Sequence, residues 1–361
     1  MALKSTSRAG ETKAPSSSDV ARLAGVSQTT TSIVLNGQSK KMRISDETRE
    51  RVLAAASSLG YMPNHAARSL RRRSTKTITF VLPTLENPYF SEIVGAAQEE
   101  ARQHGYSVTI VAMRSELGDF RTSSLLQGAA YDGIVVAGHD NCAATELLQL
   151  ADRGVAVVVL QEPSPSASIG SVRVDLETGG YLATRHLVEL GHRRIAHVTQ
   201  PLRKDEFGGG RVDGYRRALA EADIPFDEAL VVTTANSMEG GAEALNALVD
   251  LDPRPTAAFM YNDRLAVGGL HALRKRGLVV PDDFAVVGFD GVAIGRFTAP
   301  TLTTIDSPRD ELGRLAIKVL LGILDGDQEA QEHLLPVKLV VRASCGAERR
   351  ANPSCVQQPT S

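Results

Sequence analysis

The stretch Ser18-Asp-Val-Ala-Arg-Leu-Ala-Gly-Val-Ser-Gln-Thr-Thr-Thr-Ser-Ile-Val-Leu-Asn-Gly37 constrains this chain more than any other. It reads as two short helices with a tight turn between them. The first spans about Asp19 to Ala24, with Ser18 as its N-cap and Asp19 at the positive end of the helix dipole. Val20, Leu23 and Ala24 share one face by helical spacing. Gly25 supplies the turn, Val26 plugs the space between the helices, and Ser27 caps the second helix. Thr31, Val34 and Leu35 form the inner face of that second helix, while Gln28, Thr29 and Ser32 point outward. A third helix follows from about Asp46 to Leu59, capped by Ser45, with Val52, Leu53, Ala56 and Leu59 as its apolar stripe. Three short helices of this kind bury a small common core in a helix-turn-helix arrangement.

Charge separates this head from the rest. Residues 1–76 carry 14 Lys/Arg against 5 Asp/Glu, and the remainder carries 26 against 37. The net charge of −2 therefore hides a head of +9 and a body of −11. A basic head on an acidic body suits a phosphate-backbone partner. After the third helix, Pro63 and Asn64 open another short helix whose apolar stripe, Ala66, Ala67 and Leu70, is too narrow to be stable alone. Arg71, Arg72 and Arg73 follow it.

These residues resemble the head of LacI/GalR-family transcription regulators. The match runs through Asp19-Val-Ala, Ala24-Gly-Val-Ser, Val34-Leu-Asn36, Leu59-Gly-Tyr61, Pro63-Asn64 and Ala67-Arg-Ser-Leu70. It continues through Asn87-Pro-Tyr-Phe90, Leu190-Gly-His-Arg-Arg-Ile195, Gly288-Phe-Asp290 and Leu302-Thr-Thr-Ile305, covering about Ser16 to Ser344. The resemblance implies that Gln28 and Thr29 read base edges in the major groove. It places Ser16, Ser27, Thr30, Ser32, Asn36, Ser45 and Tyr61 at phosphate-holding positions. The segment Asn64 to Arg71 resembles a minor-groove hinge helix, with Leu70 as an apolar wedge and Ala67 beside it. Ile33 departs from the family at a position where a basic or polar reader is common, Thr31 stands where valine is usual, and Ser17 stands where an Ile or Leu often anchors the first helix.

From Thr77 onward, short Val/Ile-rich strands alternate with amphipathic helices, as in Thr77–Val81, Tyr89–His104, Ser107–Val111, Phe120–Ala130, Asp132–Val136, Ala143–Arg153 and Val155–Leu160. A second set runs from Ser171 to Val287, and the alternation predicts parallel sheets covered on both faces. About 270 residues exceed one comfortable core, so two lobes are expected. The resemblance implies a periplasmic-binding-protein-like body of two doubly wound lobes. Its expected layout is a disordered arm (1–15), a helix-turn-helix domain (16–62), a hinge and linker (63–76), an effector-binding core (77–345) and a flexible tail (346–361). Lobe 1 is expected over 77–161 and 292–324, and lobe 2 over 162–291 and 325–345, with crossings near Gln161, Val292 and Leu324.

The resemblance also implies a small-molecule effector, most simply a sugar, held between the lobes. Tyr89, Phe90, Arg211, Asn262 and Asp290 fall at its positions, and Gln161, Phe207 and Ser237 align more loosely. An aromatic face with Arg, Asn and Asp suits a polyhydroxylated ligand. A homodimer through the Tyr89–His104 helix, bound to a palindromic operator, is expected. The 346–361 tail has no leucine heptads for a coiled coil.

Competing classes fit less well. A secreted binding protein needs an apolar leader, which the first residues do not supply. No run of 18 apolar residues is present for a membrane span. Cys142, Cys345 and Cys355 form no CxxC pair, the eight His show no metal-ligand spacing, and Gly208–Gly210 is not followed by Lys-Ser/Thr. The expectation is a cytoplasmic, non-enzymatic regulator without cofactor or metal.

Overall fold

The computed structural model describes residues 15–37, 39, 42–61, 74–112, 131–137, 144–200, 210–327 and 331–347. The chain divides into two units, Met1–Thr75 and Lys76–Ser361.

In the first unit, helices α1 (Ser17–Ala24), α2 (Gln28–Leu35) and α3 (Asp46–Ser58) close around Val20, Ala24, Val34, Val52, Ala55 and Ala56. Gly25 takes the left-handed conformation (φ 64°) that turns the chain between α1 and α2. Two details differ from expectation. Helix α1 starts earlier, capped by Ser16 rather than Ser18, because Ser16 and Asp19 form a reciprocal capping box. Leu23 is 57 % exposed and Leu53 41 % exposed, while Ala21 and Ala55 are buried instead. In an eight-residue helix a small change of phase moves a side chain from one face to the other, and the wide stripe read from sequence did not fix that phase. Thr31 is fully buried, its hydroxyl donating to the Ser27 carbonyl at 3.2 Å. Replacing Ser16 with Ala removes the box; the head is expected to lose about 1 kcal/mol, read as an earlier helical melt by circular dichroism.

The second unit contains two six-stranded sheets. The first has strand order β11-β5-β4-β3-β1-β2, built from β1 (Thr77–Leu82), β2 (Ser107–Ala112), β3 (Gly133–Ala137), β4 (Ala156–Leu160), β5 (Gly170–Val174) and β11 (Glu332–Leu335), all parallel. One face packs on α4 (Pro88–Gln103) and α10 (Arg309–Asp325) through Phe80, Val135, Val158, Ile93, Ala97, Leu312 and Leu320. The other face offers Val81, Ile134, Val136 and Val159 to Leu147 and Leu150 of α5 (Ala144–Asp152). Successive side chains thus feed opposite cores, Phe80 one and Val81 the other, as a doubly covered strand requires.

The second sheet has order β12-β10-β9-β8-β6-β7, from β6 (Ile195–Thr199), β7 (Val231–Thr233), β8 (Ala257–Met260), β9 (Ala285–Asp290), β10 (Thr303–Asp306) and β12 (Lys338–Val340). Only β12 runs antiparallel. Helices α6 (Leu176–Glu189) and α7 (Arg211–Glu221) cover one face, and α8 (Met238–Val249) and α9 (Asp263–Lys275) the other. Paired glycines let these helices touch backbone to backbone. A Cβ at Gly180 would stand 2.2 Å from the Arg211 carbonyl oxygen, and one at Gly214 only 2.0 Å from that of Glu177.

The expected fold class holds, but the lobe crossings move. β5 pairs with β4 (Val158 with Gly170), so residues up to Val174 belong to the first lobe rather than ending at Gln161. β10 pairs with β9, so the second lobe continues past Val292 to Asp306. β11 joins β5, so the last crossing follows Leu335 rather than Leu324. The three crossings are therefore near Asp175, Ser307 and Pro336. Local periodicity marks a strand without telling which sheet accepts it.

Candidate functional site

Ligand-bearing sites in doubly wound sheets gather at the carboxyl ends of strands. Here both lobes aim such ends at each other. From lobe 1 come Asn87 and Tyr89 after β1, Gln161 after β4, and Arg309 at the start of α10. From lobe 2 come Asp290 at the end of β9, Arg211 at the first position of α7, and Tyr261 and Asn262 after β8.

Arg211 and Asp290 form the centre. Their closest charged atoms are 3.9 Å apart, an ion pair too long to be a hydrogen bond, and both side chains are almost wholly buried. The guanidinium lies over the rings of Phe289 (4.1 Å) and Tyr261 (4.3 Å), which hold its plane. Among the described residues its Nε has no hydrogen-bond partner. Burial pushes the Asp290 carboxyl up to about 7, against the lowering pull of Arg211 and Arg309 and a hydrogen bond from Asn87. Behind it, Asp263 is also raised, by burial first and by Asp290 second, although it accepts from the Thr304 hydroxyl (2.5 Å) and the Val292 N–H (2.8 Å).

Across from them, the Tyr89 hydroxyl accepts from the Gln161 amide, whose oxygen accepts from the Val174 N–H at 3.3 Å. Burial, then the Asp290 charge, raises the Tyr89 phenol. Gln161 (φ 69°) and Asp290 (φ 103°) both occupy the left-handed region, which costs non-glycine residues roughly 1–3 kcal/mol. At the outer end of the site, Arg264 Nη2 of lobe 2 meets Glu86 Oε2 of lobe 1 at 2.6 Å.

The sequence-derived residues divide accordingly. Tyr89, Gln161, Arg211 and Asp290 come together. Phe90 is half-buried against the lobe 1 core and meets the edge of Tyr89 at 5.4 Å. Asn262 is spent on capping α9 (Leu265 N–H, 2.9 Å) and on donating to Asn236 at 2.8 Å. Ser237 caps α8 through the Gly240 N–H. Phe207 lies outside the described residues, as do Asn64, Ala67, Leu70 and Arg71 of the head. Sequence reasoning missed Asn87, Asp263 and Arg309. Of these, Asn87 carried a signal, since an Asn before Pro88 reads as a helix cap.

In the head, Gln28 and Thr29 are exposed on the first turn of α2, with the Gln28 amide donating to Ser17 at 3.2 Å. Ser16, Ser27 and Ser45 are caps whose hydroxyls engage Asp19, Thr30 and Thr48, and Thr30 bonds Ser27 at 2.8 Å. The Asn36 amide reaches back to Ser32. Tyr61 packs against the head core. Among the described residues there is no group of His, Cys, Asp and Glu that could hold a metal ion, and no helix long and apolar enough to cross a membrane.

Comparison with known proteins agrees with both halves. Residues 18–64 match the model of bacterial regulatory proteins of the lacI family, and residues 184–345 a periplasmic binding protein-like domain. The chain is 34 % identical over 339 residues to the transcriptional regulator DegA of Bacillus subtilis, covering 90 % of this chain and 96 % of that one. It is 34 % identical over 331 residues to the repressor PurR of Haemophilus influenzae, covering 90 % and 97 %. Among solved structures, the lac repressor dimer bound to operator and the anti-inducer ONPF superimposes with a TM-score of 0.78 at 28 % identity, over 92 % of this chain and 99 % of that one. The regulator CelR in complex with cellobiose gives 0.67 at 31 %, over 91 % and 99 %. This chain is a member of the LacI family of DNA-binding transcription regulators.

Proposed function

We propose that this regulator is a repressor that binds a palindromic operator as a homodimer, and that a small polyhydroxylated effector, most simply a sugar, controls it from between the lobes. The observation that carries the effector reading is the buried Arg211–Asp290 pair, whose hydrogen-bonding edges are not spent on each other. Tyr89, with Gln161 fixing its hydroxyl, supplies the facing wall. The family resemblance assigns Phe90, Phe207, Ser237 and Asn262 to the same proposed site. CelR with cellobiose, and an Enterococcus faecium relative with ribose, are two family structures with sugars bound.

In the head, Gln28 and Thr29 read bases, and Ser16, Ser27, Thr30, Ser32, Asn36, Ser45 and Tyr61 hold phosphates. Asn64 to Arg71 is the minor-groove hinge, with Ala67 beside the Leu70 wedge. The layout 1–15 arm, 16–62 head, 63–76 hinge and 346–361 tail completes the scheme. Dimerisation uses the outer side of α4. Phe297, 83 % exposed and two residues from a hollow whose lining includes Leu270, Leu278, Val280 and Ala299, adds a lobe 2 contact. Effector and operator bias one lobe-angle equilibrium, so their coupling is reciprocal.

Selection of bound sequences from random duplexes, with and without cellobiose, ribose and purine bases, tests this. A two-fold symmetric site whose recovery changes with one compound is the expected result; asymmetric sequences only would refute the dimer. Leu70→Ala is expected to weaken operator binding about tenfold or more in gel shifts, with effector heats unchanged by calorimetry.

A further inference from the structure

Among the described residues of the second unit, Arg309 is the most heavily bonded side chain that the proposed function leaves unused. It opens α10 in lobe 1, directly after the second crossing. Its Nε donates to Glu92 of α4 at 2.6 Å. Its Nη1 donates to the Asp290 carbonyl, to Ser307 O at 2.9 Å and to Asp306 Oδ1 at 3.1 Å. Its Nη2 donates to Gly291 O at 3.0 Å. One guanidinium therefore clasps a lobe 1 helix, the last carbonyl of lobe 2 strand β9 and the carbonyl just after it. The clasped backbone is strained at Asp290 (φ 103°), and Gly291 follows at φ 73°, a conformation glycine adopts freely. The space beside Gly291 is closed by Asp306, whose carboxylate oxygen would stand 2.2 Å from an added Cβ. A rigid planar fork suits this task, since its donors leave in fixed directions.

We infer that Arg309 is a positioning residue: by gripping the Asp290 and Gly291 carbonyls while anchored on Glu92, it holds Asp290 in its left-handed conformation and so aims the carboxylate at Arg211 and the effector. It touches no effector itself. Because its bonds span the crossing, any change in lobe angle alters the grip, and the aim of Asp290 follows the lobes. This rests on the reading of Arg211 and Asp290 as the effector site.

The charged and titratable groups facing Asp290 are Arg211, Arg309, Glu92, Asp263 and Tyr89. The test is the titration of the Asp290 carboxyl in the full-length protein, by carbon-13 NMR of aspartate-labelled material, assigned by its loss in Asp290→Asn. The wild-type midpoint is expected at about 7, where burial pushes it. In Arg309→Met the released backbone relaxes, the carboxyl turns toward water, and the midpoint falls to the ordinary range of about 4. If Arg309 acted only as a nearby cation, removing it would raise the midpoint, because its charge pulls Asp290 down. A rise, or no change, overturns the proposal. Should Arg309→Met not fold, Arg309→Lys keeps the charge and loses the fork; a lower midpoint supports the proposal and an unchanged one overturns it. No effector enters the measurement, so its failure leaves the effector site standing, and a protein that binds no sugar leaves this result intact.

Discussion

Gly180→Ala is expected to cripple the second unit. The added methyl carbon would sit 2.2 Å from the Arg211 carbonyl oxygen and 2.9 Å from its Cα. The obstacle is main chain, so no rotamer change relieves it, and α6 and α7 must separate. Forcing apart a packed helix pair costs about 3 kcal/mol. For a body of this size that is a melting temperature lower by roughly 6–12 °C in calorimetry. Arg211 is the residue pushed, so effector affinity is expected to fall as well, even where the protein is folded. Gly25→Ala makes an instructive control. Nothing lies within 4 Å of its Cβ position, and only the left-handed backbone (φ 64°) opposes the change; the cost is about 1 kcal/mol and stays in the head. A Gly180→Ala protein with wild-type melting would refute the close crossing of α6 on α7.

The second large effect is a pH dependence. Asp290 is pushed up to about 7, chiefly by burial. The folded state therefore holds this proton more tightly than the unfolded state, and its favourable contribution is fully present below about pH 4. It is lost as pH rises through 7. A rise from 3.8 to about 7 corresponds to about 4 kcal/mol by the alkaline end. Asp290→Asn cannot ionise, so its stability should lose less than wild type between pH 4 and 8. The difference in slope between two denaturation series is the quantity to measure, since the Asn also leaves Arg211 without its counter-ion. Parallel slopes would show that Asp290 does not titrate in this window.

Much of this molecule was legible before its coordinates. Strands such as Ile195–Thr199 and Ala285–Asp290 are runs of apolar residues bracketed by helices, and the parallel architecture follows from that rhythm. β11 and β12 were not read as strands. Glu332–Leu335 and Lys338–Val340 are short, edge-lying and half-exposed, so they carry no apolar run. Sheet membership was also hidden. β5 follows β4 after a nine-residue connection and joins the same sheet, which only pairing reveals. In the site, Tyr89, Gln161, Arg211 and Asp290 came from family resemblance. Arg309 gave no signal, because an arginine at a helix start after a proline looks like ordinary surface. Its meaning lies in carbonyls that chain reversal brings to it from eighteen and nineteen residues upstream.

The late crossing at Pro336 carries a consequence for biosynthesis. β11 and β12 are near neighbours along the chain yet complete opposite sheets. A ribosome that has released everything up to residue 330 has produced a basic head with its own small core, attached to two sheets that each lack an edge strand. A chain truncated there would keep the head and leave both sheets short of a strand, so a few closing residues settle at once whether both halves of the body are whole.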